Sequence, residues 1–553
     1  MTAFQGLVHS QQQVAYCPHT STSGEVWQLV RRGACTSAGA SNGTTLIDTG
    51  LTVGADTYTG RYWIEILSGA CKGQWKRIVD DNGTGTLTLE NNGFSAQIAS
   101  AVEFNLWFSP DPVVVVDSSG GATNVVDAVR AEADDFWNGY WLVVISGTRR
   151  GQKAQVTDFT SSTGTFVVGT GLAGALSAGD VCVLRKFIEA EVTLGVQQEY
   201  VARQFNRINF SRGGGIPGAR SGTIGLKTHV RPSGSLAATG VKANKPECSG
   251  LFQAAGMTET VNTSATVGAG STTTAVKINT ASWENFTIGG LVMYDGNAAF
   301  IESMEDGGVG VDTLNVNPPL PAAPASSDTI YASTMYALDT AAAQYGALVE
   351  IEIDGVRHTL TGCKGNVSME SGAVPMFNWQ LSVDHWIRER EASPLTNATS
   401  AYSTVAPVLE KDLVAYLDTT ATNIGGLTAT PGAAVAPRKV QGSTGINGRT
   451  SFQTITYAPG GTFRELISAS GDALSQDQYF ADQTSRKLSV VFGSHGSAFA
   501  VRVPAMRLVE TPTPVDEGGL SAAPSVFEAH DAGTATDGAS DVQKMPDFSL
   551  HFT

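Results

Sequence analysis

A chain of 553 residues with 51 Asp and Glu against 35 Lys and Arg carries a formal net charge of −16 and has no basic run, so it is not built to hold a polyphosphate. Only 16% of its residues are charged while glycine reaches 62, a composition of short strands and many turns, and the expected class is all-β. The opening MTAFQGLVHSQQQ lacks the basic-then-apolar order of a secretion signal, and aliphatic runs such as the valines 113–116 are far too short to cross a bilayer, so no membrane anchor is expected.

Residues 1–25 are polar and read as an N-terminal arm for docking on a neighbour. A repeat follows. Tyr62-Trp63-Ile64-Glu65-Ile66-Leu67-Ser68-Gly69 with Gly73-Gln74 and Asp80 returns as Tyr140-Trp141-Leu142-Val143-Val144-Ile145-Ser146-Gly147 with Gly151-Gln152 and Asp158. The spacing is constant, which sets out two small β modules at 26–110 and 111–186. A weaker third copy occupies 258–336, where Gly289-Gly290-Leu291-Val292-Met293-Tyr294-Asp295-Gly296 precedes Phe300-Ile301-Glu302 and a Pro-rich exit at 318–324. Trp27, Trp63, Trp75, Trp107, Trp137 and Trp141 concentrate in the first two modules. At strand spacing beside aliphatic residues they read as core, with a carbohydrate-stacking platform as the alternative.

With the third module set aside as an insertion, a larger duplication emerges. GTIGLKTHVRPSG at 222–234 and RTSFQTITYAPGG at 449–461 both alternate apolar and polar residues and end in a Pro and Gly stop. Each precedes an expected short helix closed by glycine, at 249–256 and 462–471, and each helix leads to a hairpin, at 348–360 and 487–503. These series outline tandem sandwiches at 187–405 and 406–530. In the tail, 531–553, the segment 548–552 is expected to tuck onto a partner.

The stretch 348–383 is the most informative. Val349, Ile351 and Ile353 alternate with Glu350, Glu352 and Asp354, the period of a strand with one buried face and one wet, acidic face. Asp354-Gly355 turns the chain, 356–360 returns, and Phe377, Trp379, Leu381 and Val383 line an aromatic closing strand. This order of strand, Asp-Gly turn, strand, Gly-Cys-Lys-Gly-Asn-Val-Ser bend and aromatic strand resembles the tail tube (major tail) proteins of long-tailed, siphovirus-like bacteriophages, over roughly 187–530. The resemblance implies a virion structural protein made in the bacterial host cytoplasm, whose sandwiches join edge to edge into stacked rings that conduct the genome. With two tube-like halves per chain, trimeric rings of pseudo-sixfold symmetry are expected. Tape-measure, tail terminator and neck or baseplate proteins would be partners, and double-stranded DNA would pass without specific binding. Glu350, Glu352 and Asp354 line the lumen if their sheet rings the channel, and form only a solvated face if it does not. A long loop carrying Arg203, Arg207, Arg212 and Arg220 is the candidate contact to the adjoining ring. The β modules resemble the add-on (Ig-like or decoration) domains of tail proteins and belong outside the tube. Other readings are a baseplate or head-decoration component and a carbohydrate-binding tail protein.

No enzyme chemistry emerges, and no cofactor or metal is expected. Gly213-Gly214-Gly215-Ile216-Pro217-Gly218 spells a dinucleotide motif but leads into strand alternation, with no helix N-terminus to receive a pyrophosphate. Gly39-Ala40-Ser41-Asn42-Gly43 spells a nucleophile elbow without a preceding buried strand or a following helix. His358 and His385 read as lone packing or surface residues, and Asp80-Asp81-Asn82-Gly83 as a hairpin turn rather than a calcium loop. Cys17, Cys35, Cys71, Cys182, Cys248 and Cys363 form no Cys-x-x-Cys pair and read as reduced packing residues.

Overall fold

The computed structural model describes residues 12–18, 28–90, 93–109, 112–117, 121–130, 132–169, 171–201, 216–234, 236–239, 242–278, 285–305, 311–338, 345–353, 356–390, 403–438, 451–466, 478–494, 497–510, 515–517, 520–537 and 541–553. The fold is all-β, with β-sandwiches of almost wholly antiparallel strands and very little helix.

The small modules share one topology. The first orders its strands Gln28–Ala34, Glu103–Phe108, Tyr62–Ile66, Trp75–Asp81, Thr86–Leu89, Thr45–Ile47. The second follows the same path through Val113–Val115, Val181–Ile188, Trp141–Val144, Lys153–Thr160, Thr165–Val168 and Asn124–Val126. So does the third, through Ala265–Thr266, Thr329–Ala332, Leu291–Tyr294, Asn297–Glu305, Asp312–Asn317 and Ala275–Ile278. Each carries a bulge in its fourth strand, at Ile78/Asp80, Val156/Asp158 and Ile301/Ser303. The repeated glycines of the first two modules are needed for their backbone: Gly69 and Gly147 sit at φ of 75° and 71°, and Gly73 and Gly151 at 82° and 85°, where a β-carbon is disfavoured. The third module is tied off at its neck, where Met257–Val261 pairs with Thr334–Leu338.

The larger sandwiches also repeat. One series runs Gln12–Pro18, Glu191–Val201, Ile216–His229, Ala347–Ile353, Val356–Glu370, Met376–Val383, His385–Arg390. The other runs Leu413–Leu417, Ile424–Thr430, Gly460–Leu466, Arg486–Ser494, Ser497–Leu508, Leu520–Ala529, Ser549–Phe552. In both, the first strand pairs with the fourth, the second with the third, the third with the sixth, the sixth with the fifth, and the fifth with the fourth and seventh. The long fifth strand thus belongs to two sheets. It passes between them at a bulge, where the register shifts between Ala347/Val349 in one half and Arg486/Leu488 in the other. The halves join where Met369 and Glu370 pair with Ala429 and Thr428, so eight strands form one continuous sheet. A single apolar core runs beneath it and includes Leu226, Trp379, Phe463, Phe499, Phe527 and Phe552. Helix Ser249–Ala254 plugs this core with Phe252, whose ring lies 4.6 Å from Tyr336, 4.9 Å from Trp379 and 5.4 Å from Phe552.

The expected helix at 462–471 is corrected. Gly460–Leu466 is a strand, Phe463 points into the core while Thr462 and Arg464 face out, and 467–477 lie outside the described residues. Glycine allows the strand to nest there, since a β-carbon on Gly461 would stand 1.9 Å from the Thr428 carbonyl oxygen. The helical turn of the second half lies instead at 478–481. The counterpart of Ile216–His229 is therefore Gly460–Leu466, not the 449–461 segment, whose Ser451–Thr456 strand forms a separate ribbon with Ala434–Arg438.

Both ends of the chain depart from expectation as well. Gln12–Pro18 does not reach for a neighbour: it lies between Val181–Ile188 and Ala347–Ile353. Ser549–Phe552 lies between Thr334–Leu338 and Ser497–Leu508, buried in the chain's own core. Local pattern shows that a segment is a strand but not which edges it fills.

All six cysteines are buried. Burial pushes the Cys35 thiol up to about 11 and the Cys248 thiol up to about 12, so both stay protonated and unreactive at neutral pH. Native protein is expected to react negligibly with a thiol reagent such as Ellman's, and denatured protein to titrate six thiols.

Candidate functional site

The acidic hairpin face is where the modules attach. Val349 and Ile351 point into the main core, so Glu350 and Glu352 emerge on the other side, yet they are only 4% and 5% exposed. Arg185, from the second module's strand Val181–Ile188, covers Glu350. Its Nε and Nη2 donate to Oε2 and Oε1 at 2.6 and 2.7 Å, a two-pronged pair in which both side chains are buried. Burial alone would raise the Glu350 carboxyl, but Arg185, with Arg357 and Arg77 nearby, brings it down to about 2.

The first module makes a second ionic contact beside it. Arg357 Nη2 donates to Glu90 Oε1 at 3.2 Å, and Arg77 Nε lies 3.7 Å from Glu90 Oε2. Burial opposes the Glu90 charge, and Arg357 and Arg77 outweigh it and hold its carboxyl below the usual range. Trp63 and Trp107 pack on Ile387 of the strand His385–Arg390, with Trp75 at the margin of the cluster and 5.0 Å from His385. The third module, inserted in the first half, docks on the hairpin of the second: Leu291, Met293 and Phe300 pack on Val491, Ala498 and Ala500. Arg502 Nη2 and Lys487 Nζ both reach Glu302, at 2.7 and 2.9 Å.

The expectation of a wet acidic face is therefore corrected: Glu350 and Glu352 are both buried, Glu350 beneath Arg185 of the second module, and Asp354 lies outside the described residues. Sequence reasoning passed over Arg185, Arg77, Glu90 and Arg357. The available signal was Arg185 itself, a lone arginine in the apolar run VCVLRKFI, since a charge at such a position needs a buried counter-charge.

A different surface is open. On the eight-strand sheet, residues alternating with the core face away from the modules, and the exposed charges there are Glu191, Glu370 and Glu528 against Lys227, Arg464 and Arg507. Glu191 stands opposite Lys227 and Glu528 opposite Arg507 in the ladder, which balances charge locally. Thr193, Thr223, Gln380, Asn378, Thr428 and Thr462 supply most of the rest. At one end of this sheet Glu191–Val201 pairs, among the described residues, only with Ile216–His229.

Of the loop arginines, Arg203, Arg207 and Arg212 lie outside the described residues, and Arg220 falls within the strand Ile216–His229. Residues 213–215 of the glycine motif are outside too, and the remainder is that same strand. Gly39–Gly43 is a turn in which Gly43 N–H donates to the Ala40 carbonyl at 2.9 Å. At 80–83, Asp81 Oδ1 accepts from the Gly83 N–H at 3.0 Å, an Asx-type turn. His358 stacks on Trp386 and accepts its indole N–H on Nδ1 at 3.1 Å. Trp63 and Trp137 are 1% and 0% exposed, buried packing residues rather than a stacking platform. Among the described residues no group of His, Cys, Asp and Glu is placed to hold a metal, and no helix is long and apolar enough to cross a membrane. No protein-family model matches the chain, and no curated protein matches its sequence.

Proposed function

We propose that this chain is the tail tube subunit of a long-tailed bacteriophage, a non-enzymatic virion protein that forms stacked rings around a conduit for the genome. The observation that carries this reading is the eight-strand sheet running through two halves of identical topology, with one polar face left open and the modules packed on the far side of the core. Such layering has an inside and an outside. The open face suits a bore and the modules suit the outer wall.

The bore proposed here is charge-balanced rather than acidic. A duplex sliding past alternating Glu and Lys or Arg, set among hydroxyl and amide side chains, meets no cluster of cations from which counterions would be released, and so no grip. Strand geometry also bears on copy number: at a spacing of about 4.8 Å and a tilt of about 40°, sixteen strands close at a backbone radius of about 16 Å and twenty-four at about 24 Å. Three copies give the second figure, which leaves room for a hydrated duplex once side chains are counted. Tape-measure, terminator and neck or baseplate proteins are the partners this role requires.

Negative-stain imaging of the purified protein tests the reading. Hollow tubes or stacked rings with a threefold modulation are expected, whereas solid or discrete oligomers without a central hole would overturn it in favour of another virion component.

A further inference from the structure

A histidine lies at the contact between the third module and the second half. In the ladder Ala500 stands opposite His551 and Arg502 opposite Ser549, so these side chains share the face on which the module docks. His551 is 0% exposed, and Phe300 of the module closes over it with ring centroids 5.3 Å apart. Its Nε2 shares a hydrogen bond of 2.9 Å with the Ser549 hydroxyl, and its Nδ1 has no hydrogen-bond partner among the described residues. The site suits a neutral imidazole.

The charges around it leave no place for a further cation. Arg502 lies over the Phe300 ring at 5.0 Å and donates to the Ile301 carbonyl at 3.2 Å and to Glu302 Oε1 at 2.7 Å. Lys487 donates to Glu302 Oε2 at 2.9 Å, so both oxygens of that carboxylate are engaged. On the other side of His551 the strand Thr334–Leu338 places Met335 opposite it, which carries no charge. A proton on His551 would add a buried positive charge beside Arg502 and an N–H without an acceptor. Burial first and Arg502 second hold the imidazole well below its ordinary range. Burial opposes the Glu302 charge, but Arg502 and Lys487 outweigh it, so this carboxylate stays charged in mild acid.

We infer that His551 is a protonation-sensitive latch on the third module, which docks while the imidazole is neutral and lets go in mild acid, before the first two modules loosen. The sign follows from linkage. Once the contact opens, water reaches the ring and it takes up a proton near its ordinary value of about 6.5, whereas the closed contact excludes that proton. Docking is therefore complete above about pH 6.5, and its equilibrium constant falls about tenfold for each unit below, or about thirtyfold by pH 5. The first two modules are fastened through Glu350 and Glu90, whose carboxyls lie below their ordinary range and keep their charge there. Release is staged, with the third module first.

Thiol labelling in the full chain tests this, because the six native thiols are buried. Val491 lies beneath the third module at 5% exposure, so the variant Val491→Cys places a reporter at the contact. Its reaction with dithiodipyridine is followed from about pH 8 to about pH 5, and each rate is divided by that of urea-denatured protein at the same pH. Protection is expected to be constant above about pH 6.5 and to fall about thirtyfold by pH 5. Adding His551→Gln, which retains a partner for Ser549 but cannot take up a proton, should remove that dependence. A flat profile with His551 in place would overturn the latch without recourse to any variant of the histidine. An unchanged slope in the His551→Gln protein would overturn it too, as would native thiols that react in step with the introduced one, since the opening would then be global.

Discussion

Removal of residues 548–553 is expected to prevent formation of the native fold. Ser549–Phe552 fills the gap between Thr334–Leu338 and Ser497–Leu508, with four residues in register on each side. Phe548, Leu550 and Phe552 are 0 to 1% exposed, so truncation leaves both a slot in the core and two rows of unpaired backbone groups. The single substitution Phe552→Ala isolates the packing contribution. Its ring meets Phe499 at 5.1 Å, Phe252 at 5.4 Å and Tyr336 at 5.7 Å, and its loss should cost about 3–5 kcal/mol in urea unfolding. A truncated protein with native near-ultraviolet circular dichroism would refute the claim that the tail completes the core.

Arg185→Ala is expected to cost about 3–5 kcal/mol, because it strands the Glu350 carboxylate in a buried site. Glu350→Ala strands the guanidinium and should cost a similar amount. The paired replacement Arg185→Met, Glu350→Leu removes both charges and should recover most of the loss. Acid should weaken the same attachment. The Glu350 carboxyl lies at about 2 when folded, below its ordinary value, so its contribution is complete above the ordinary glutamate range of about 4.3 and is lost as pH falls towards 2. Glu90 shifts in the same direction. Modules and hairpin should hold together at pH 5 and loosen between about 4 and 2, read from the emission of Trp63, Trp75 and Trp107 at the contact. Unchanged emission throughout that window would remove the ionic latch from the account.

Most individual strands were legible because a strand with one buried face writes itself as period-two alternation. The hairpins at 348–360 and 487–503 were found in this way, as were the two repeated modules with their left-handed glycines. The failures share one cause. Phe463-Arg464-Glu465-Leu466 permits a helix as readily as a strand, and the neighbours Ile424–Thr430 and Leu520–Ala529 decide between them. The reading of Glu350 failed similarly, since its partner Arg185 lies 165 residues away in another module.

The sequence by itself determined what each segment is: strand or turn, one face apolar and the other polar, and a module repeated at fixed spacing. These follow from φ, ψ and side-chain direction, which neighbouring residues control. Only the tertiary structure decided which polar faces remain wet, which edges are filled by the two chain ends, and which strands of the two halves correspond. Those outcomes depend on pairing between residues hundreds of positions apart, where the energy of a buried charge or an open edge is set by whatever comes to lie against it.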